Sequence, residues 1–473
     1  MKKLLLAAVL LLAGNIVLAQ HQEVSEKPLM YKGKQAETLD TTSILSAFKR
    51  GKFNGHFRYF LMATDNQPGL TDYYANAAGG GIRYETALFH GFQFAVSGFY
   101  TFNIGSSDLS KADTATGQFN RYEIALFDVN DANNKKDIDR LEELYLKYQY
   151  KNISVTAGRQ LLNTPFINLQ DGRMRPTGVE GIWMELNEAK KVKIEGGLLY
   201  AVSPRGTTKW YNIGESLGIY PSGVTIDGAK SLYNKNINSK ALALLGINIK
   251  AGKNLKLQAW DVFTENVFNT AMLQADISFA QKNSSAVFAA AQIIKQDAVN
   301  DGGNIDPAKT YFEKGGKSLS FGARAGWKNK TWETSINYNR ITKDGRYLMP
   351  REWGREPFFT FLPRERNEGF GDVHAMMAKV NYSIPKARIK TSLAAGYYDL
   401  PDVKDFRLNK YGLPSYSQLN GDVRYAFAGM LKGLEAQLLV VGKINNGETF
   451  DNKRFEFNKV DMMLYNFVLN FHF

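Results

Sequence analysis

Eighteen stretches of this chain, each roughly ten residues long, alternate apolar and polar side chains with a period of two. In 319–327, Leu319, Phe321, Ala323, Ala325 and Trp327 fall on one face and Ser320, Gly322, Arg324 and Gly326 on the other. After Lys328–Asn329–Lys330 the pattern resumes, with Trp332, Thr334, Ile336 and Tyr338 against Glu333, Ser335, Asn337 and Asn339. Such a period means strands with one dry face and one wet face. The stretches are 56–64, 80–89, 92–103, 141–150, 153–160, 178–186, 192–201, 240–249, 255–264, 270–279, 286–296, 317–327, 332–342, 371–382, 387–398, 416–427, 434–443 and 462–473. A soluble sandwich would also alternate, but its strands run shorter, about 5–6 residues.

The connections separate these options. His90–Gly91, Lys151–Asn152 and Ala251–Gly252–Lys253 are tight turns. Between such turns lie long polar loops at 104–140, 161–177, 202–239, 297–316, 343–370, 399–415 and 444–461, with a short exception at 265–269. The segment Arg121 to Phe127 alternates as well and is read as part of a loop. Tight turns at one end and long loops at the other is the rhythm of an outer-membrane β-barrel, and an even strand count puts both termini on the periplasmic side. The expected fold is therefore an all-β transmembrane antiparallel barrel of about 18 strands spanning 56–473.

Both chain ends agree with export. Met1–Lys2–Lys3, the apolar run Leu4 to Leu12 and the small-residue site Val17–Leu18–Ala19 have the three parts of a secretory signal, cleaved after Ala19. No later run approaches the ~20 apolar residues of a membrane helix, so strands must do the crossing. Residues 20–55 are expected as a periplasmic segment whose Ser43–Phe48 stretch could cap the barrel mouth. The last strand carries Met463, Tyr465, Phe467, Leu469, Phe471 and Phe473 on its apolar face. A strand ending on Phe473, with Phe471 before it, resembles the C-terminal signal read by the barrel-assembly machinery. Aromatics at strand ends, such as Tyr148, Tyr150, Trp327, Trp332 and Tyr425, suit the headgroup level of a membrane.

Composition narrows the chemistry. The chain has no Cys, hence no lipid-anchoring Cys, thiolate nucleophile or thiolate metal site. Its five His, at 21, 56, 90, 374 and 472, form no ligand cluster. No Ser is tied by motif to a His and an acid, so neither an enzyme nor a cofactor or metal is expected. Lys and Arg number 59 against 46 Asp and Glu, a net charge of +13. No basic helix or clustered run directs that charge to nucleic acid; it falls to lumen and rim.

A barrel of eighteen strands is too wide for side chains to fill, so it encloses water unless something folds inside. The polar faces supply Arg58, Arg83, Lys147, Arg324, Lys379, Arg388, Lys390 and Arg424, and the acids Glu85, Glu143, Asp276, Glu333, Asp422 and Glu435. Arg forks can hold carboxylates or phosphates in passage, or pair with the acids and brace the wall. Loop 161–177 begins Leu161–Leu162–Asn163–Thr164–Pro165–Phe166–Ile167, too apolar to stay in water, and is expected to fold into the lumen. Arg159, Arg173 and Arg175 would then face the constriction.

Two stretches carry a family resemblance. Gly158–Arg159–Gln160 through Asp171–Gly172–Arg173–Met174–Arg175–Pro176 to Val179–Glu180–Gly181 resembles the third-loop region of OprD-type outer-membrane porins. So does Arg351–Glu352–Trp353–Gly354–Arg355–Glu356–Pro357–Phe358, continuing through Arg364–Glu365–Arg366 to His374. The resemblance implies an eighteen-stranded barrel, often monomeric, whose third and seventh loops (161–177 and 343–370) fold inward. It also implies a lumenal row of Arg and Lys guiding small carboxylate-bearing solutes such as amino acids or organic acids. The expected function is passive diffusion of small solutes across the outer membrane, with membrane lipid as partner and a monomer or trimer as the assembly. A structural or adhesive barrel, binding partners through its external loops, is the alternative.

Overall fold

The computed structural model describes residues 40–136, 138–169, 172–188 and 191–473; the expected secretory signal (1–19), residues 20–39 and Asp171 lie outside them. Eighteen strands among the described residues build one closed sheet. In chain order they are β1 (Lys52–Asn66), β2 (Tyr73–Glu85), β3 (Phe92–Ser106), β4 (Ile138–Tyr150), β5 (Ile153–Gln160) and β6 (Gly178–Glu188). Next come β7 (Val192–Ser203), β8 (Leu242–Ala251), β9 (Leu255–Thr264), β10 (Phe268–Ala280), β11 (Ala286–Ala298) and β12 (Lys317–Lys328). The rest are β13 (Trp332–Ile341), β14 (Val373–Ile384), β15 (Ile389–Asp399), β16 (Tyr416–Ala426), β17 (Leu434–Asn445) and β18 (Met462–His472). Neighbours in sequence pair antiparallel, and β18 returns to β1 through pairs such as Phe57↔Phe471. Closure leaves no unpaired strand edge, which the apolar layer of a membrane would not tolerate.

The alternation has the expected physical meaning. On β10 and β13, Leu273 and Ile336 are 59% and 74% exposed on the outer face, whereas the inward Met272 and Asn337 are 1% and 2% exposed. The dry faces meet lipid and the wet faces meet the lumen. The final strand keeps this parity, and Phe473 completes the seam: its N–H donates to Gly55 O (3.2 Å) and Gly55 N–H donates back to Phe473 O (2.8 Å).

Two local readings change. The second strand runs over Tyr73–Glu85 instead of 80–89, and Leu88–Phe89 is a separate short piece pairing in parallel with Asp40–Thr41. Gly79–Gly80–Gly81 lies inside β2; a Cβ on Gly79 would strike the Phe99 ring at 2.5 Å. The second change concerns the N-terminal segment. Its described part forms a helix, Ile44–Lys49, capped by Ser43. Phe48 stacks on Tyr84 (6.3 Å), which also packs on Phe53 (4.6 Å), and Tyr84 Oη donates to Phe48 O. Tyr84 and Phe53 have outward parity, so this helix lies against the outside of the periplasmic rim and does not cross the mouth.

Nine long or short connections face the outside. Loop 2 (107–137), loop 3 (161–177), loop 4 (204–241), loop 6 (299–316), loop 7 (342–372), loop 8 (400–415) and loop 9 (446–461) are the large ones. The Arg121–Phe127 stretch lies in loop 2 as a single helical turn, Glu123–Leu126, with Leu126 and Phe127 each 1% exposed. The loops do not stand above the barrel but fill its extracellular half. Leu162, Phe166 and Ile167 of loop 3 join Trp353, Phe358 and Phe370 of loop 7 and Trp183 and Trp260 of the wall in one buried cluster.

Candidate functional site

Loops 3 and 7 are strapped together before they meet the wall. Asn168 N–H donates to Trp353 O (3.2 Å), Asn168 Nδ2 to Arg355 O (3.0 Å), and Thr177 Oγ1 to Glu352 O (2.8 Å). The wall holds loop 7 with neutral amides. Gln292 donates to Pro357 O (3.2 Å), Gln296 to Leu348 O (2.6 Å), and Gln418 and Asn420 both to Pro363 O (2.9 and 3.1 Å). These inward amides satisfy loop carbonyls that would otherwise be buried unpaired, which is how irregular backbone can sit at membrane depth. Nothing in the sequence pattern distinguishes them from other polar wall positions.

Loop 3 is anchored to the wall through a feature of β4. The register between β3 and β4 shifts at Ser97/Gly98, so one residue of β4 is extra. The bulge turns the consecutive Glu142 and Glu143 both inward. Glu142 holds Arg140 (3.0 Å) and Arg175 of loop 3, whose guanidinium lies 3.9 Å from the Phe99 ring centroid. Glu143 holds Arg83 (2.9 Å), which also reaches Glu85 (3.0 Å) and Tyr145 Oη (2.8 Å).

Above this level a cavity of about 530 Å³ lies among loops 2, 3, 4 and 7. Its lining cations are Arg121, Arg173, Arg205, Lys230, Arg351, Arg355 and Arg364; its carboxylates are Glu356 and Glu365. Tyr122, Tyr220 and Phe361 supply aromatic faces. Arg355 stacks on Phe361 (4.3 Å) and Arg205 on Tyr220 (5.7 Å), which presents planar donors at fixed angles. Burial, and then the neighbouring Glu356, push the Glu365 carboxyl well above its usual range. Burial opposes the charge on Arg351, but Tyr411 and Glu368 more than offset this and its pKa is raised. Glu352 is shifted upward by burial, although backbone N–H groups of Gly218 and Tyr220 donate to it.

The residues expected from sequence divide into four sets. Arg173 lines the cavity and is 4% exposed; Arg175 sits below it, fixed to Glu142. Arg58 points inward above the Phe60 ring (5.4 Å), Arg324 pairs with Asp276 (3.2 Å) beneath Phe359 (4.9 Å), and Arg83 is tied to Glu143. Lys390 and Arg424 face each other across β15 and β16 on the periplasmic half of the wall, where Arg424 pairs with Asp422 (2.9 Å).

Two expectations are corrected. Arg388 is not a wall residue: it occupies the turn before β15 with φ 56° and is exposed at the rim. Arg159 does not face the constriction. Its cross-strand neighbours are Leu144 and Glu180, and Glu180 accepts from Tyr200, 47% exposed on the outer wall. Arg159 pairs with Glu180 (3.0 Å) and stacks on Trp210 (4.6 Å) on that outer side. Its position is plain in the parity of β5, where Ile153, Val155, Ala157 and Arg159 share one face.

Arg351, Arg355 and Arg364, absent from the expected site, lie in the stretch that carries the family resemblance, so a signal for them existed. Arg121, Arg205 and Lys230 lie in loops 2 and 4, with no motif around them.

Comparisons with known proteins agree with this architecture. The sequence profile of the outer membrane porin, OprD family, matches residues 108–348. Pseudomonas aeruginosa OccK9 (OpdG) superposes with a TM-score of 0.70 at 12% identity, covering 90% of this chain and 99% of that one. Acinetobacter baumannii OccAB1 gives 0.69 at 13% identity, covering 93% and 99%. Pseudomonas aeruginosa OpdK, solved with vanillate, gives 0.67 at 12% identity, covering 90% and 99%. No curated protein matches at the level of sequence. With more than half of its length matched by the family profile, the chain belongs to the OprD family of outer-membrane porins.

Proposed function

We propose that this porin passes small anionic solutes, carboxylate-bearing ones above all, through a constriction made by loops 3 and 7. The observation that carries the reading is the imbalance around the cavity, seven cationic side chains against two carboxylates, one of them held toward its neutral form. Rings of fixed charge in a narrow pore select ions of opposite sign, and planar guanidinium forks match a carboxylate in two contacts at once. The aromatic faces of Tyr122, Tyr220 and Phe361 suit a solute with an apolar body behind its acid group. Vanillate, an aromatic acid present with the structural neighbour OpdK, has that form.

The test is selectivity. Replacing Arg173 and Arg205 with Ala should lower the anion-to-cation permeability ratio severalfold, read as reversal potential in a salt gradient across a planar bilayer. A wild-type channel without anion preference, or a double variant with an unchanged potential, overturns the reading. Liposome swelling with matched acids, amines and sugars then ranks solutes by charge.

A further inference from the structure

Beside the cavity, the side chains of Arg121 in loop 2, Arg366 in loop 7, Lys459 in loop 9 and Lys443 on β17 come together. Arg121 reaches the residue next to Lys459, and Arg366 and Lys443 meet at Tyr416. Arg121 donates to Asn458 O (3.5 Å), next to Lys459, which donates to Gly412 O (3.2 Å) and Arg454 O (2.6 Å). Arg366 covers the Tyr411 ring (4.0 Å), and its backbone N–H donates to Tyr416 Oη (3.2 Å); Lys443 covers the same Tyr416 ring (4.3 Å). Arg121 acts electrostatically on each of the other three.

None of the four makes an ion pair with a carboxylate among the described residues. The nearby Glu368 is engaged elsewhere, with Arg351 (3.6 Å) and Tyr411 Oη (3.0 Å). Arg366 is 96% buried, and its Nε and Nη2 make no hydrogen bond. Buried donors without acceptors are costly, and buried like charges are costlier still. Partial relief comes from Lys459, whose pKa is lowered to about 7 by burial and then by Arg121 and Arg366. Deprotonating Lys459 does nothing for the unbonded Arg366 nitrogens. Those need an acceptor.

We propose that Arg121, Arg366, Lys443 and Lys459 form a binding site for a compact, multiply charged oxyanion of the phosphate type. Two guanidinium forks favour oxygen acceptors in a plane over a spherical halide, and four cations favour more than one negative charge. The oxyanion would join loops 2, 7 and 9 to the wall. The same chemistry could come from a resident inorganic ion or from the acid groups of a dicarboxylate entering by the cavity, which Arg121 also lines.

The test uses the whole mature protein in detergent micelles, titrated with sodium phosphate while chloride holds the ionic strength constant. The thermal midpoint should rise by several degrees and saturate, because a ligand that binds only the folded state stabilises it by mass action. The Arg366→Gln, Lys459→Gln double variant should lose the rise. Phosphorus NMR line broadening on wild-type protein reads the site without any variant. A flat midpoint together with unbroadened phosphate overturns the proposal. Competition by succinate would identify permeating dicarboxylates as a source, and failure to compete a resident inorganic ion; either supports the site. Acid permeation into liposomes, measured in parallel, reports the pore separately, so the site can fail while the channel reading stands.

Discussion

The two halves of the lumen use charge in opposite ways. In the periplasmic half, cations on the wall meet acids on the wall at close range: Arg83 with Glu143 and Glu85, Arg424 with Asp422, and Lys193 with Glu185 and Glu195. Some of these pairs lie within one strand, as Arg424 with Asp422, and others bridge strands, as Lys193 with Glu185 and Arg83 with Glu143 across β3; all leave little net field. In the extracellular half the wall is mostly amide, the loops it holds carry the Arg side chains, and those converge on one cavity with few acids. Charge on the wall is paired at close range; charge on the inserted loops gathers around the cavity, where the proposed function has it select. On the proposed function, the wall supplies the frame and the loop residues set what passes.

The largest effect should come from loosening the loops. Trp353 is 1% exposed, packs on Phe268 (6.0 Å) and donates from Nε1 to Ser216 Oγ (3.0 Å). Truncating such a residue costs about 3–5 kcal/mol of local packing. Because this energy holds loop 7 and not the barrel, Trp353→Ala should raise single-channel conductance severalfold with the barrel still assembled. Unchanged conductance and noise would mean that loop 7 is not the constriction and that the contrast between the halves has no bearing on flow.

A smaller and opposite effect is expected in the lower half. Arg83→Ala strands Glu143 and Glu85, both largely buried, at a cost of about 1–3 kcal/mol. The heat-modifiable gel transition should move to lower temperature while the reversal potential stays where it was. A selectivity change as large as that from the cavity Arg residues would erase the distinction between bracing and selecting.

How far the sequence showed this follows from which physical force sets each feature. Strand parity is imposed by lipid on one side and water on the other, and it is written residue by residue; the outer wall, the tight turns and the seam at Phe473 were legible for that reason. Arg159 was expected at the constriction, yet it shares the outward face with Ile153, Val155 and Ala157, so strand parity carried its position. Loop 3 announced its inward fold through Phe166 and Ile167, apolar residues with no other place to go. The bulge at Glu142 had no such mark, because one extra residue in a strand leaves composition and length unchanged, yet it decides where Arg175 is anchored. Arg388 shows the converse: it shares the polar face of Lys390, but the strand starts at Ile389, two residues later than expected, and the turn takes Arg388 at φ 56°. Contacts such as Gln292 with Pro357 or Arg121 with Asn458 join segments far apart in the chain, and single-sequence periodicity carries no information on them.

The smallest effect tests the upper half by pH. Lys459 has its pKa lowered to about 7 by burial and by Arg121 and Arg366, against about 10.4 in an unfolded chain. Between these values the folded protein holds fewer protons than the unfolded one, so Lys459 makes stability rise with pH across that window; below the lower value the penalty is complete and constant. In chloride buffers free of oxyanions, going from pH 8 to pH 6 adds one positive charge beside Arg121 at the edge of the cavity. Anion preference should then increase slightly, and Lys459→Gln should remove that increment while leaving any contribution from the histidines. If the increment persists in the variant, the titrating group lies elsewhere. If it is absent from wild-type protein, charge at loop 9 does not reach the path of the ion, and the selecting region is confined to loops 2, 3, 4 and 7.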